Sequence, residues 1–235
     1  MSSPYINTYL YGTVSLHPSQ MDNDIYKHLK TNLTRKMQGK CYKSYGYISK
    51  IYKIEERAGG YIVAEDPSAS ATYEVKFSAK ICRPLPGSIV VCEVMSINKE
   101  ILMVRNGPIY ILIFEGNGNI NQTNFVYDDR KNVLLSVTNG DKGVPVVKGS
   151  FVNIKVIQVK IEDGSDKILV FGTLESMATQ EEQHQSIVLR ESDDGNFVDY
   201  DKYIESGTKQ NEEDSLMTET TDETITPDDD DDDNV

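Results

Sequence analysis

The chain has 235 residues, 37 acidic and 24 basic side chains, and no tryptophan. Its net charge of −13 reads at first as a veto on nucleic acid, because an anionic surface repels phosphate. The charge is divided unevenly: residues 178–235 hold 20 acids and 3 bases, whereas residues 1–177 hold 17 acids and 21 bases, so the body is mildly basic.

About 175 residues of body can bury a core without disulfide staples. Cys41, Cys82 and Cys92 are too few and too scattered for a disulfide framework, and no CxxC pair suggests zinc. The N-terminus shows no basic stretch followed by an apolar run, and the longest apolar run, Ile109–Phe114, falls short of the roughly 20 residues of a membrane helix. A soluble intracellular protein in a reducing compartment is expected.

In chain order, Tyr9–Leu16 alternates and predicts a strand, ended by His17-Pro18. A helix follows, capped by Asp22 or Asn23, with Ile25, Leu29, Leu33 and Met37 on one face and Gly39 as its stop. From Cys41 to Phe77 the period becomes two, and residues 47–54 look partly buried on both faces. Arg57-Ala58-Gly59-Gly60 is a turn whose glycines permit positive φ and close backbone approach. Strands are expected at Tyr61–Ala64 and Thr72–Ile81, completing an α+β unit over 1–84. Arg83-Pro84-Leu85-Pro86-Gly87 is a stiff connector and marks the domain boundary.

Residues 85–177 read as all-β. Strands are expected at Ser88–Asn98, Glu100–Asn106, Tyr110–Phe114 and Asn132–Val137, with a hairpin of Val152–Ile161 and Lys167–Leu174 and a long loop at Glu115–Asp129. This pattern suits a small Greek-key barrel of the OB type. From residue 178 onward the chain is expected to be a disordered acidic tail. A short patch there, Ile187-Val188-Leu189 with Phe197, Tyr200, Tyr203 and Ile204, is apolar enough to dock weakly.

No nucleophile elbow, phosphate loop or metal-binding motif occurs, so no catalytic residue, metal or cofactor is expected. His17, His28 and His184 have no partners at metal-ligand spacing. What remains is a surface. An OB barrel binds single strands with cations and aromatic platforms, which nominates Lys99, Arg105, Tyr110, Lys155, Lys160 and Lys167, with Met103 and Phe114 nearby. Tyr110 and Phe114 share a strand face and are first read as interior residues. The barrel segment carries 9 bases against 10 acids, so a strong RNA footprint is not expected.

Several motifs recur in a family's order: Leu16-His17-Pro18, Gly39-Lys40-Cys41, Tyr45-Gly46-Tyr47-Ile48, Val75-Lys76-Phe77, Arg83-Pro84 with Gly87, Asn98-Lys99, Gly107-Pro108, Ile154-Lys155-Val156 and Phe171-Gly172-Thr173-Leu174. In this order residues 9–177 resemble the seventh subunit of eukaryotic RNA polymerase II and its archaeal stalk counterpart. The resemblance implies an RNP-like tip domain, an OB barrel and a non-catalytic stalk subunit that supports transcription initiation. It implies docking near the clamp on the largest subunit and a small neighbour, through Tyr45, Gly46, Arg57, Ala58, Gly59, Gly60, Arg83 and Pro84. A second stalk subunit and nascent single-stranded RNA are further implied partners. Glu100-Ile101-Leu102-Met103 departs from the family's Gly-then-aromatic step. A divergent copy from a large DNA virus accounts for such drift, which places the protein in a viral factory or virion; a cellular copy would be nuclear. The competing reading is a free single-stranded RNA-binding OB protein of the translation-factor or exosome-cap kind, which would not need the N-terminal unit.

Overall fold

A computed structural model of the chain describes residues 3–62, 64, 67–98, 100–114, 119–121, 123–128, 133–137, 143–193 and 196–204. The first strand, β1 (Tyr5–Leu16), starts four residues earlier than its alternation suggested, because Tyr5 and Asn7 are buried against later parts of the chain. Helix α1 (Ile25–Met37) buries Leu29, Leu33 and Met37. Its N-cap is Asp24, whose side chain makes no capping bond; the expected cap Asp22 instead accepts the Asp24 N–H at 2.9 Å.

After β2 (Cys41–Tyr42), strand β3 (Gly46–Arg57) carries three irregularities in its pairing with β5 (Ala71–Cys82). Its core residues Ile48, Ile51 and Ile54 therefore recur every third residue rather than every second. Bulges insert an extra residue and reset the facing, which is why the sequence looked half-buried on both sides. β4 (Tyr61–Ile62) is shorter than expected and pairs with β5. The sheet order is β1-β5-β3-β2, with α1 packed on the face bearing Leu10, Val14 and Phe77.

The second half closes into a barrel of β6 (Ile89–Ile97), β7 (Ile101–Asn106), β8 (Ile109–Phe114), β12 (Phe151–Lys160) and β13 (Ile168–Met177). β6 pairs antiparallel with both β7 and β12, while β8 and β13 run parallel. Between β8 and β12 lies a small antiparallel sheet of β9 (Phe125–Asp128), β10 (Val133–Ser136) and β11 (Val144–Pro145). The expected loop at 115–129 thus contains a strand: Phe125 is buried in the barrel core and anchors it there.

The two halves share an interface. Tyr5, Cys41 and Cys82 of the sheet belong to the same buried cluster as the barrel interior. Backbone bonds tie Cys41 N to Ser165 O at 2.7 Å and Gly164 N to Cys41 O at 2.9 Å.

The disordered tail expected from residue 178 is corrected for its first part. Thr179 and Glu182 form a reciprocal capping box that starts α2 (Gln180–Glu191). Lys80 Nζ ends it, donating to the carbonyls of Leu189, Arg190 and Ser192 at 2.5–2.9 Å. Residues 200–204 are helical again. Polar anchors order this segment, and apolar patterning does not reveal them. Residues 205–235 of that expectation lie outside the described residues.

Candidate functional site

The turn after β3 is built outward from Tyr73. The Arg57 guanidinium sits 5.6 Å from the ring centroids of both Tyr26 and Tyr73, a cation–aromatic geometry that fixes a flexible side chain. Ala58 N donates to Glu74 O at 2.8 Å. Gly59 has open space around its Cα, with no heavy atom within 4 Å of an added Cβ, whereas a Cβ on Gly60 would stand 2.5 Å from Tyr73 Cζ. Neither glycine has positive φ. The reason for glycine at 60 is close approach, and the left-handed conformation expected there is not used.

The remaining four docking candidates lie elsewhere, at the seam between sheet, barrel and C-terminal segment. Gly46 has φ +89° and a Cβ there would meet Cys82 O at 2.6 Å, so only glycine fits. Tyr45 packs edge-on to Tyr200 with centroids 5.9 Å apart and donates to Tyr11 O at 3.3 Å. Arg83 Nη1 donates to Lys43 O, Ser44 O and Tyr200 Oη at 3.1, 2.8 and 2.7 Å. Pro84 is buried. These four hold the molecule together, whereas Arg57–Gly60 present a surface.

On the barrel, strand register sets a row on the outer wall. Lys160 pairs with Leu169, Leu169 with Tyr110, and Tyr110 with Arg105. The Arg105 guanidinium and the Lys167 ammonium lie 5.1 and 5.8 Å from the Tyr110 centroid. Lys160 is held by Glu162 at 2.8 Å. Lys155 is exposed on β12 but outside this row, and Lys99 lies outside the described residues. The interior reading of Tyr110 and Phe114 is overturned: Ile109, Ile111 and Ile113 fill the core, and Phe114 is 41% exposed and stacks on Phe171 at 6.1 Å. Alternation put the aromatics on one face; branched aliphatics on the opposite face claimed the interior.

Sequence reasoning missed the role of Lys80, whereas the patch of Phe197 and Tyr200 does dock, on Tyr9 and Tyr45. Lys80 is 5% exposed, and loss of hydration holds its ammonium pKa below the ordinary lysine value. Its place in the alternation of β5 was readable, but its partners lie more than 100 residues away.

The chain thus combines an α+β sheet unit that bears an exposed turn with a closed barrel, the two sharing one buried cluster. Residues 12–67 match the family model described as the SHS2 domain found in the N terminus of Rpb7p/Rpc25p/MJ0397. The chain is 31% identical over 180 residues to a candidate DNA-directed RNA polymerase subunit of Acanthamoeba polyphaga mimivirus, covering 77% of this chain and 86% of that one. It is 23% identical over 173 residues to RNA polymerase II subunit RPB7 of Glycine max (72% and 92% covered), and 29% over 102 residues to that of Saccharomyces cerevisiae (43% and 58%). The chain belongs to the Rpb7-like family of RNA polymerase stalk subunits, which are accessory and non-catalytic. Among the described residues no helix is long and apolar enough to cross a membrane.

Proposed function

We propose that this subunit docks on its polymerase through the turn at Arg57–Gly60, near the clamp, on the largest subunit and a small neighbour, and that it supports initiation from there. The observation that carries this reading is the turn itself. It stands clear of the fold at Gly59, is backed rigidly by Tyr73, and carries a pre-oriented cation at Arg57. A partner surface can close on such a turn without reordering it, which lowers the entropy cost of association.

The barrel is of the OB type. In support, its first strand pairs with the second and the fourth, and its third and fifth strands are parallel, as a five-stranded Greek-key closure requires. Its outer wall touches emerging RNA weakly, through Arg105, Tyr110 and Lys167. A second stalk subunit is a further expected partner.

Affinity purification of the tagged full chain from cells that express it tests the reading. Recovery of the two largest polymerase subunits in stoichiometric amounts is expected. Recovery of the chain alone under gentle conditions contradicts it.

A further inference from the structure

The face of the tip sheet opposite α1 is lined by Tyr9 on β1, Lys76 on β5, and Lys50 and Tyr52 on β3. Residues of the C-terminal segment sit on it. The Phe197 ring stacks on Tyr9, with centroids 4.9 Å apart and an interplanar angle of 21°, and meets Tyr52 edge-on at 6.1 Å. The Asp193 carboxylate pairs with the Lys50 ammonium and accepts from Tyr52 Oη at 3.4 Å. Among the described residues the backbone bond from Val198 N to Asn7 O, at 2.8 Å, aligns the segment along the outer edge of β1.

This seat is shallow. Phe197 remains 44% exposed and Val198 39%, and the Lys50–Asp193 pair is about half exposed on both sides. Exposed ion pairs are weak and screened by salt. By contrast, Tyr203 farther along is half-buried and bonded to Arg83 O at 3.0 Å. The described segment is thus held at both ends, by Lys80 and by Arg83, with Phe197 and Val198 part-exposed between them.

We infer that this face is a binding site for an acidic peptide segment bearing an aromatic side chain, and that Asp193, Phe197 and Val198 occupy it in cis until a partner's segment of that chemistry displaces them. The site supplies an aromatic stack, a cation for a carboxylate and an open strand edge for the backbone, which are the parts of strand-addition recognition. Charge favours the same occupant. Residues 191–204 carry five acids and one base; of these Asp193 pairs with Lys50, and Lys76 lies 5.5 Å from the Tyr9 ring. The inference does not depend on where the subunit sits on the polymerase, so it can fail while that reading stands.

The chain's lack of tryptophan provides the test. In full-length Phe197→Trp protein, the lone indole reports whether the seat is filled. A synthetic peptide of residues 191–204 is titrated in, and a saturable red shift of emission is expected, with the midpoint moving at least tenfold upward between 50 and 500 mM salt. A peptide carrying Asp193→Lys and Phe197→Ala should have no effect. As a second readout, the fluorescein-labelled peptide should bind full-length Phe197→Ala protein more than tenfold tighter than the unmodified chain, and adding Tyr9→Ala should abolish this. No shift together with no labelled-peptide binding overturns the proposal. So does displacement of the indole by oligo(U) at lower concentration than the peptide, which would make the face a nucleic-acid site.

Discussion

Tyr5 Oη donates to Asn106 Oδ1 at 3.1 Å across the junction of sheet and barrel. Asn106 in turn donates to Val91 O at 2.7 Å and to Ser186 Oγ at 3.0 Å. One buried amide therefore joins the first strand, the barrel and α2. Gly107, with φ +56°, leaves the space: a Cβ there would lie 2.3 Å from Tyr5 Oη.

Tyr5→Phe removes the hydroxyl that bonds Asn106 Oδ1 while keeping the ring. Stability should fall by about 1–3 kcal/mol, the usual cost of stranding a buried polar partner. Gly107→Ala should cost at least as much, since it adds positive-φ strain to the clash. Urea unfolding of the full chain measures both. An unchanged midpoint for Tyr5→Phe would mean that the junction is not coupled through Asn106.

The two glycines of the turn should behave oppositely. Gly60→Ala drives a methyl into Tyr73 and should destabilise by about 1–3 kcal/mol, as overpacking does. Gly59→Ala meets open space and should leave thermal unfolding within about 0.5 kcal/mol of the parent. Gly59→Trp is therefore a clean docking variant, and Gly60 variants are not. A large loss of stability at 59 would contradict the geometry.

Acid should loosen the C-terminal segment before the core. Hydrogen bonding from Lys50 holds the Asp193 carboxyl below its ordinary 3.8, and the Thr179 backbone N–H does the same for Glu182 below 4.5. Carboxylates with depressed pKa contribute stability that is complete above 4.5 and lost as pH falls through their folded values, below 3.8 and 4.5. Hydrogen exchange at α2 and Val198 should accelerate between pH 4.5 and the acid limit while β5 remains protected. Simultaneous loss of both would contradict this order.

RNA contact at the barrel wall should be weak and local. Tyr110→Ala should cost about 1–3 kcal/mol of any oligo(U) affinity, the worth of one base–aromatic stack. Arg105→Ala and Lys167→Ala should each lower the salt slope by about 0.7, as expected for one lost phosphate contact to a single strand. Lys160→Ala should matter less, because Glu162 already holds that ammonium. Fluorescence anisotropy against salt concentration reads all four; equal effects at 160 and 167 would contradict the restraint of Lys160 by Glu162.

Much of the architecture was legible because it follows periodicity. The α1 face of Leu29, Leu33 and Met37 and the placement of the barrel strands obey local rules, although the face of Ile109–Phe114 that turns inward was read the wrong way round. The turn was legible from Arg57-Ala58-Gly59-Gly60, though of the two reasons for its glycines only close approach, at Gly60, is used. Three things were not. The threefold spacing on β3 depends on bulges that only the partner strand reveals. β9 is held by Phe125 entering a core formed by distant strands. The seating of 178–204 rests on Lys80 and Arg83 meeting backbone carbonyls and tyrosines more than 100 residues away, and no window of sequence contains both sides of such a contact.

The most direct measurement of the central claim is a photo-crosslink from position 59, where the fold tolerates a bulky side chain. A benzophenone amino acid there, in full-length protein assembled with its polymerase, should crosslink to the largest subunit and to one small neighbour, and Arg57→Glu should reduce that yield severalfold. Crosslinks found only to chains outside the polymerase, or an undiminished yield with Arg57→Glu, would contradict docking through this turn.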